Sequence, residues 1–276
     1  MMTTSIRLLS DGTLKQDGGT MFGQIPKMAW ESRIVTDRRN RMTLSMNCLL
    51  IQVAGKNIVV DAGVGSKEMD GLRENYGLGP SRLVKNLKNA GVSPNQVDYV
   101  ILSHLHFEHC GGCTKLDRAG SLVPTFPKAT HFVQRQAWET ALNPNERFQS
   151  SFFKDDFLPL EEWDQLQILD GEEEILPGLS VLLTNGPSMG HQIVSVNHGG
   201  EKVVFMGDLV PTAHHLDLAS IPALDQFPEE TLERKRDLLN KAEKDGWLLV
   251  FAHGVDRKAG YLESYKGAAY LRPIDL

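Results

Sequence analysis

Three histidines and a glutamate follow directly after a strand-like apolar segment, and this cluster restricts the fold more than any other feature. The apolar segment is Val97–Leu102, and His104, His106, Glu108 and His109 come soon after its end. His104 and His106 are two positions apart, so an extended backbone places both side chains on one side. Without a ligand, buried imidazoles would each need a hydrogen-bond partner, and protonated ones would repel each other. Neutral imidazole is a favoured zinc ligand, so the cluster predicts a metal site.

Other candidate ligands come at the ends of later apolar segments. Three such segments are each followed by one metal-binding side chain, which is His191, Asp208 or His253. Open α/β sheets collect the residues of a site at the ends of their strands. We therefore expect these three side chains to join the first cluster.

Length and composition favour one globular domain. Because candidate ligands between positions 104 and 253 must converge, residues 1–276 are expected to form a single domain. The chain contains 41% hydrophobic and 23% charged residues, as globular proteins do. Its formal charge of −6 argues against a nucleic-acid partner. We recognise neither a membrane-spanning segment nor a signal peptide, and so expect a cytoplasmic protein with no membrane partner.

Strand-like and helix-like segments alternate along the chain. Cys48–Val53 and Asn57–Asp61 flank a short turn and predict a β-hairpin. Helical spacing of apolar residues predicts helices at Pro80–Ala90, Arg135–Leu142 and Pro228–Asp245. Further strands are predicted at Val97–Leu102, Thr130–Gln134, Leu166–Leu169, Leu179–Thr184, Gln192–Asn197, Lys202–Met206 and Trp247–Phe251. This mixture is typical of a layered α/β fold.

The ordered set of candidate ligands resembles the signature of the metallo-β-lactamase superfamily. That signature is His-x-His-x-Asp-His, followed at a distance by His, Asp and His. Here Asp61-Ala62-Gly63 resembles the family's Asp-x-Gly after an early hairpin. Gly18–Trp30 and Gly207–Thr212 resemble the branch of N-acyl-homoserine-lactone lactonases and methyl parathion hydrolase. The resemblance implies an αββα four-layer sandwich with the metal site at one edge of the β layers.

The resemblance also implies a ligand set for two divalent metal ions. The first ion would be held by His104, His106 and His191, the second by Glu108, His109 and His253, with Asp208 bridging both. Asp61 would support the site from behind, as carboxylates that orient ligand imidazoles do. Zinc is the expected metal, with iron, manganese and cobalt as alternatives. Glu108 stands where the family has Asp, and its extra methylene leaves a single-metal site as an alternative.

The activity implied is hydrolysis of a lactone or carboxylic ester by a metal-bridging hydroxide. Asp208 and Glu108 are candidates for relaying a proton to the leaving group. Aromatic and apolar residues in Met21–Trp30 and Phe148–Phe157 favour a small-molecule substrate with an apolar portion. The lactonases' tyrosine after the bridging Asp is absent, since Leu209-Val210-Pro211 follows Asp208, which argues against homoserine lactones. Alternatives are an organophosphate triester hydrolase, a mononuclear-iron oxidoreductase resembling sulfur dioxygenases and, for assembly, a homodimer.

Several other motifs favour structural roles. Gly186–Gly190 matches Gly-x-Ser-x-Gly, but a strand rather than a helix follows, so Ser188 is not expected to be a nucleophile. Cys110-Gly-Gly-Cys113 lacks the second pair of a Cys₄ site, and its glycines favour close packing behind the metal. His214 and His215 favour loop packing, with substrate contact as the alternative. For Asn143–Trp163 a packed loop is favoured over a lid, whereas Gly65–Gly79 is predicted to be an exposed loop near the site entrance.

Overall fold

The computed structural model describes residues 4–67, 71–265 and 268–276, and most of its regular structure there is β-strand. The strands are β1 (Ser5–Asp17), β2 (Arg41–Val53), β3 (Lys56–Val60), β4 (Tyr99–Ile101), β5 (Thr114–Leu116), β6 (Leu122–Pro124), β7 (Thr130–Gln134), β8 (Leu166–Leu169), β9 (Glu173–Leu176), β10 (Leu179–Leu183), β11 (Gln192–His198), β12 (Glu201–Phe205), β13 (Leu248–Val250), β14 (Ala259–Tyr265) and β15 (Ala268–Ile274). The helices are α1 (Gly18–Phe22), α2 (Lys27–Trp30), α3 (Leu72–Tyr76), α4 (Leu83–Asn89), α5 (Phe107–Cys110), α6 (Arg135–Leu142), α7 (Leu158–Glu162) and α8 (Pro228–Asp245).

The strands form two large sheets and one small one. Sheet one has the order β1-β2-β3-β4-β7-β8, and sheet two has the order β15-β14-β13-β12-β11-β10-β9. Sheet one pairs β3, β4, β7 and β8 in parallel, and sheet two pairs β12 and β13 in parallel. Parallel neighbours end at the same edge of a sheet, so the loops that follow them lie close together.

Side chains alternate between the two faces of each sheet, and this alternation builds the layers. Leu49 and Ile51 of β2 pack in the core between the sheets, whereas Cys48 and Leu50 pack on the opposite face. Helices α4 and α6 cover that outer face of sheet one, and α8 covers the outer face of sheet two. Within the described ranges the protein is therefore the αββα sandwich that the resemblance implies, and this prediction is confirmed.

Each predicted strand and helix has a counterpart in the structure, and the structure adds further elements along the chain. The strand Thr130–Gln134 and the helices Arg135–Leu142 and Pro228–Asp245 have the predicted bounds. The elements that the sequence pattern does not predict are the strands β1, β5, β6, β9, β14 and β15 and the helices α1, α2, α3, α5 and α7. Within Gly65–Gly79 the structure contains α3, and residues 68–70 of that segment lie outside the described residues.

Strand β1 is not predicted from the sequence because a buried carboxylate interrupts its apolar pattern. Asp11 is fully buried at an irregularity in the pairing of β1 with β2. Its Oδ1 accepts hydrogen bonds of 2.9 Å from the backbone N–H groups of Arg82 and Leu83, at the start of α4. Its Oδ2 accepts a 2.9 Å bond from the N–H of Gly65. Asp11 thus caps a helix about seventy residues away in the sequence.

Candidate metal centre

The predicted ligands come together at the edge where the parallel strands of both sheets end. Strand β4 is followed by His104 and His106 and then by α5, which carries Glu108. Strand β12 is followed by Asp208, and β13 is followed by His253. Each of these side chains is buried or half-buried. The strand ends therefore converge on one site, as the sequence predicts.

The turn that presents Asp208 requires a glycine. Gly207 has a φ of 49°, and a Cβ atom there would lie 2.6 Å from Nε2 of His191. A left-handed backbone conformation without room for a side chain admits only glycine at low cost. The Gly-Asp pair after β12 is thus explained by how closely this turn approaches His191.

The potential metal-binding atoms form two groups that share Asp208. One group comprises Glu108, His109, Asp208 and His253, and the other comprises His104, His106 and Asp208. Within each group the donor atoms lie within 4.8 Å of one another. Asp208 Oδ1 is 3.1 Å from Nε2 of His253 and 3.3 Å from Nε2 of His109. Asp208 Oδ2 is 3.5 Å from Nε2 of His104, so one carboxylate faces both groups.

Most of the histidines are oriented by a partner on Nδ1, which leaves Nε2 directed toward the centre. The pairs are His104 with Ser103 Oγ (3.0 Å), His109 with Asp61 Oδ2 (2.7 Å), His191 with Thr184 Oγ1 (2.5 Å) and His253 with the carbonyl oxygen of Ser45 (2.8 Å). Partners of this kind select the tautomer and the ring orientation of metal-binding histidines. Sequence reasoning found Asp61 but missed Ser45, Ser103 and Thr184, which carry no metal-site signal of their own.

Several inward-facing atoms have no hydrogen-bond partner among the described residues. These atoms are His104 Nε2, His106 Nε2 and Glu108 Oε2, and all are buried. A buried polar atom without a partner is costly, so native proteins rarely leave one unsatisfied. Imidazole nitrogen and carboxylate oxygen are the donors that zinc and related divalent metals take. The arrangement therefore fits a metal centre.

Electrostatics keep most of these groups in the protonation state that a metal requires. Burial lowers the pKa of His104 and His106, and burial lowers that of His191 to about 3, so these imidazoles are neutral. Burial opposes the charge of Asp208, but His109 and His253 hold its pKa well below the usual range. Burial opposes the charge of His109, but Asp208 and Asp61 hold its pKa well above the usual range, so a metal would displace a proton there.

A family comparison agrees with this geometry. The model of the metallo-beta-lactamase superfamily matches residues 43–253, which include all of the clustered donors. The chain belongs to this superfamily. The resemblance stated from the sequence motifs is thereby confirmed, and the protein is a metal-dependent hydrolase of the metallo-β-lactamase fold.

Known relatives include lactonases. An N-acyl homoserine lactonase of Bacillus thuringiensis is 26% identical over 234 residues, which are 79% of this chain and 84% of the relative. A solved structure of a probable metal-dependent hydrolase from Staphylococcus aureus is 30% identical, with a TM-score of 0.89 and full coverage of both chains. The dizinc quorum-quenching lactonase AidC, with a bound product, has a TM-score of 0.80 over 100% of this chain and 96% of its own. AidC is only 17% identical, so this likeness concerns the fold alone.

His191 lies beside the two donor groups and belongs to neither. Its ring centroid is 5.2 Å from that of His104. Its Nε2 accepts a 3.0 Å hydrogen bond from the backbone N–H of Asp208. One lone pair cannot serve both this hydrogen bond and a metal, so ligation by His191 would require the bond to open. Its role as a ligand of the superfamily centre stays a prediction.

Glu108 reaches the centre despite standing where the superfamily has aspartate. It lies in the first turn of α5 and shares a donor group with His109 and His253. The extra methylene therefore does not remove the carboxylate from the site. Two-metal binding stays a prediction. The length of Glu108 is no longer a reason to expect a single-metal site.

A narrow cavity of about 30 Å³ opens directly onto the donor groups. Its wall combines donors with apolar side chains, among them Leu14, Met21 and Leu44. Three polar residues in the wall were missed from the sequence, and these are Gln16, Tyr76 and Asp225. Burial raises the pKa of Asp225 to about 7, although a 2.5 Å hydrogen bond from Thr231 lowers it. We call this space the inner cavity.

The remaining motifs take mostly structural roles. Ser188 lies in the connection between β10 and β11, and its carbonyl oxygen accepts a 2.9 Å bond from the N–H of His191. His215 is buried and stacks on Phe22 with ring centroids 5.1 Å apart, whereas its neighbour His214 is half-buried. Phe152 packs against His106 with ring centroids 5.0 Å apart.

Cys110 and Cys113 are packed behind the centre. Both thiols are free and fully buried. Burial raises the pKa of Cys110 well above its usual range, so the reactive thiolate is disfavoured. A Cβ at Gly112 would lie 2.0 Å from the carbonyl oxygen of Ala62, which explains the glycines between the cysteines. The predicted packing role of this motif agrees with the geometry.

Asp61 offers a test of the support behind the centre. It accepts bonds of 2.7 Å and 2.8 Å from the N–H and Oγ of Ser103, and it pairs with His109. Its φ is 55°, a conformation that asparagine also tolerates, so Asp61→Asn keeps the backbone and the volume. We expect zinc affinity to fall about 10- to 100-fold, as for other outer partners of metal ligands. Competition with a chromophoric chelator measures this affinity.

The matched control for this experiment is Asp117→Asn, in an exposed loop. That variant should bind zinc as the wild type does. Unchanged zinc affinity in Asp61→Asn would contradict the supporting role.

Proposed function

We propose that this metal-dependent hydrolase cleaves the lactone or carboxylic ester bond of a small molecule with an apolar portion, using two divalent ions, with zinc as the expected metal. The observation that carries the proposal is the sharing of Asp208 between two donor groups. Similarity to the N-acyl homoserine lactonase of Bacillus thuringiensis supports lactones as the first substrates to test. We also propose that residues 1–276 act as one domain, because the donors come from both sheets.

Each part of the site has a role in this proposal. When bound, the ions supply Lewis acidity and lower the pKa of coordinated water. His104, His106, Glu108, His109, Asp208 and His253 would hold them, together with His191 once its bond to the Asp208 N–H opens. The Nδ1 partners described above keep the rings directed at the centre before any ligand arrives. This preorganisation lowers the cost of reaching the reactive arrangement.

Carboxylates in the wall of the inner cavity can accept a proton and donate it again during hydrolysis. Glu108 and Asp208 line this cavity and stay our candidates for passing a proton to the leaving oxygen. Apolar side chains on the other walls, including Leu224 and Pro222, would exclude water from the acyl portion of the substrate. No observation favours phosphotriesters or iron-dependent oxidation over this activity.

The proposal is tested by metal analysis and a substrate screen on purified protein. We expect about two ions per chain and turnover of lactones and carboxylic esters in preference to phosphotriesters. His106→Ala should lower kcat/KM at least about a hundredfold, since it deletes a donor that has no other partner among the described residues. Chelation should abolish activity, and zinc should restore it.

His198→Ala provides the control, because His198 lies at the end of β11 and outside both donor groups. Activity that survives both chelation and His106→Ala would refute the metal mechanism. One iron per chain with oxygen consumption would instead establish the oxidoreductase alternative.

A further inference from the structure

A second cavity of about 280 Å³ adjoins the inner cavity, and we call it the outer cavity. The two share His253, so the outer cavity begins at the wall of the candidate metal centre. The inner cavity, at about 30 Å³, is far smaller than the several hundred Å³ of typical small-molecule sites. A substrate larger than the inner cavity must extend beyond it, and the outer cavity meets the inner one at His253.

The wall of the outer cavity carries three nitrogen-rich side chains, which are Arg33, His214 and Arg257. Arg257 Nη2 lies 3.4 Å from Nε2 and 3.5 Å from Nδ1 of His214. Arg33 Nη2 donates a 3.0 Å hydrogen bond to the carbonyl oxygen of Ala29. Burial lowers the pKa of His214, the charges of Arg257 and Arg33 lower it further, and the charge of Asp256 raises it.

Neither guanidinium group has a carboxylate partner within the part of the chain that the structure describes. Among residues 4–67, 71–265 and 268–276, no ion pair joins Arg33 or Arg257 to an acidic side chain. Asp256 also lines the outer cavity but pairs with neither arginine. Both arginines are exposed and bring positive charge to the wall of the outer cavity, in a chain whose formal charge is −6. Each guanidinium has five N–H donors; among the described residues Arg33 uses one of them on Ala29, and Arg257 places one nitrogen beside His214.

We propose that the outer cavity binds a carboxylate on the portion of the substrate remote from the bond that is cleaved. This inference rests on the proposed function and narrows it to lactones or esters that carry a second, anionic group. The planar guanidinium matches a carboxylate with two parallel hydrogen bonds, and its charge persists at all relevant pH values. The half-buried imidazole of His214 can donate a further hydrogen bond to the same group.

Two carboxylates could occupy this cavity, since hydrolysis of any ester or lactone also creates one. The substrate's own carboxylate would make binding and turnover selective for anionic substrates. The carboxylate formed by the reaction would affect only inhibition by product. These two sources are distinguished by separate arms of the experiment.

The substrate arm compares matched chromogenic esters. The 4-nitrophenyl monoesters of glutaric, adipic and suberic acids carry a free carboxylate at three distances, and their methyl diesters are the neutral counterparts. For the wild type we expect kcat/KM to favour the anionic member of at least one pair about tenfold. Arg257→Gln and Arg33→Gln should each lower this ratio, and the double variant should bring it close to one.

The control is Arg234→Gln, which removes an exposed positive charge of α8 that does not line the outer cavity. This variant should keep the wild-type ratio, which separates local binding from a general effect of net charge. The product arm measures inhibition by butyrate of the hydrolysis of neutral 4-nitrophenyl butyrate.

Three results would overturn the inference. They are a wild-type ratio near one for every pair, a ratio that survives in the double arginine variant, and an arginine effect confined to inhibition by butyrate. Failure of the wild type to hydrolyse any ester or lactone would instead refute the proposed function, so the two failures can be told apart.

Discussion

Asp208→Asn is expected to lower kcat/KM about a thousandfold and to reduce the metal content below one ion per chain. Asp208 is the one side chain common to both donor groups, and its Oδ1 lies 3.1 Å and 3.3 Å from two histidine nitrogens. Asparagine keeps the shape but removes the negative charge and one of the two oxygen donors. A thousandfold loss corresponds to about 4 kcal/mol of transition-state stabilisation, in the range that bound metals supply.

The measurements for Asp208→Asn are metal analysis and steady-state kinetics on the best substrate of the screen. Asp237→Asn, on the exposed side of α8, makes the same chemical change away from the site and should leave both values at the wild-type level. If Asp208→Asn bound two ions and kept activity within about tenfold of the wild type, Asp208 could not be the residue on which both ions depend.

The donor residues could be predicted because each one follows an apolar strand within a few positions. A strand is readable from local pattern, and the polar residue after it must emerge at the edge of a sheet. The partners behind the donors could not be predicted in the same way. His253 depends on the carbonyl oxygen of Ser45, which lies 208 positions away, and any residue type supplies a carbonyl. Such contacts are set by how the two sheets pack.

The unpredicted part of the fold has a similar cause. Strand β1 buries Asp11 because backbone N–H groups at the start of α4 satisfy that carboxylate. A charged residue within a strand normally indicates exposure, so the local pattern is misleading there. At the site, the surroundings of His191 are equally unreadable from local pattern. Its position after a glycine-rich loop predicts a metal ligand, and this stays a prediction. The hydrogen bond of 3.0 Å from the N–H of Asp208 to its Nε2 depends on the close approach of Gly207, which lies elsewhere in the sequence.

A buried ion pair behind the centre gives the second large prediction. Lys67 Nζ lies 3.0 Å from Asp156 Oδ1, and both side chains are almost completely inaccessible to solvent. Lys67 also contacts the carbonyl oxygen of Gly111 and Thr114 Oγ1, so it joins the loop after β3 to the segment after α5. We expect Lys67→Met to lower the free energy of unfolding by about 3–5 kcal/mol, because it leaves a buried carboxylate without its partner.

The loss of stability caused by Lys67→Met is expected to grow as the pH rises. Burial raises the pKa of Asp156 to about 6, and the charge of Lys67 lowers it only in part. A carboxyl whose folded pKa exceeds its unfolded value of about 3.9 makes the fold less stable as pH rises between those values. Lys67→Met removes the lowering charge and extends that loss above pH 6. The difference between variant and wild type should therefore be small near pH 4 and largest near pH 8, as urea unfolding of the chelated proteins would measure.

The double variant Lys67→Met/Asp156→Leu separates the cost of an unpaired charge from the value of the pair. A buried pair loses so much hydration that apolar residues of similar size often replace it without loss of stability. Burial raises the pKa of Asp156 further than the charge of Lys67 lowers it, which is consistent with a costly desolvation. We therefore expect the double variant to recover most of the stability and to lose the added pH dependence. If it were as unstable as Lys67→Met at pH 8, the contacts of Lys67 with Gly111 and Thr114 would be the stabilising feature instead.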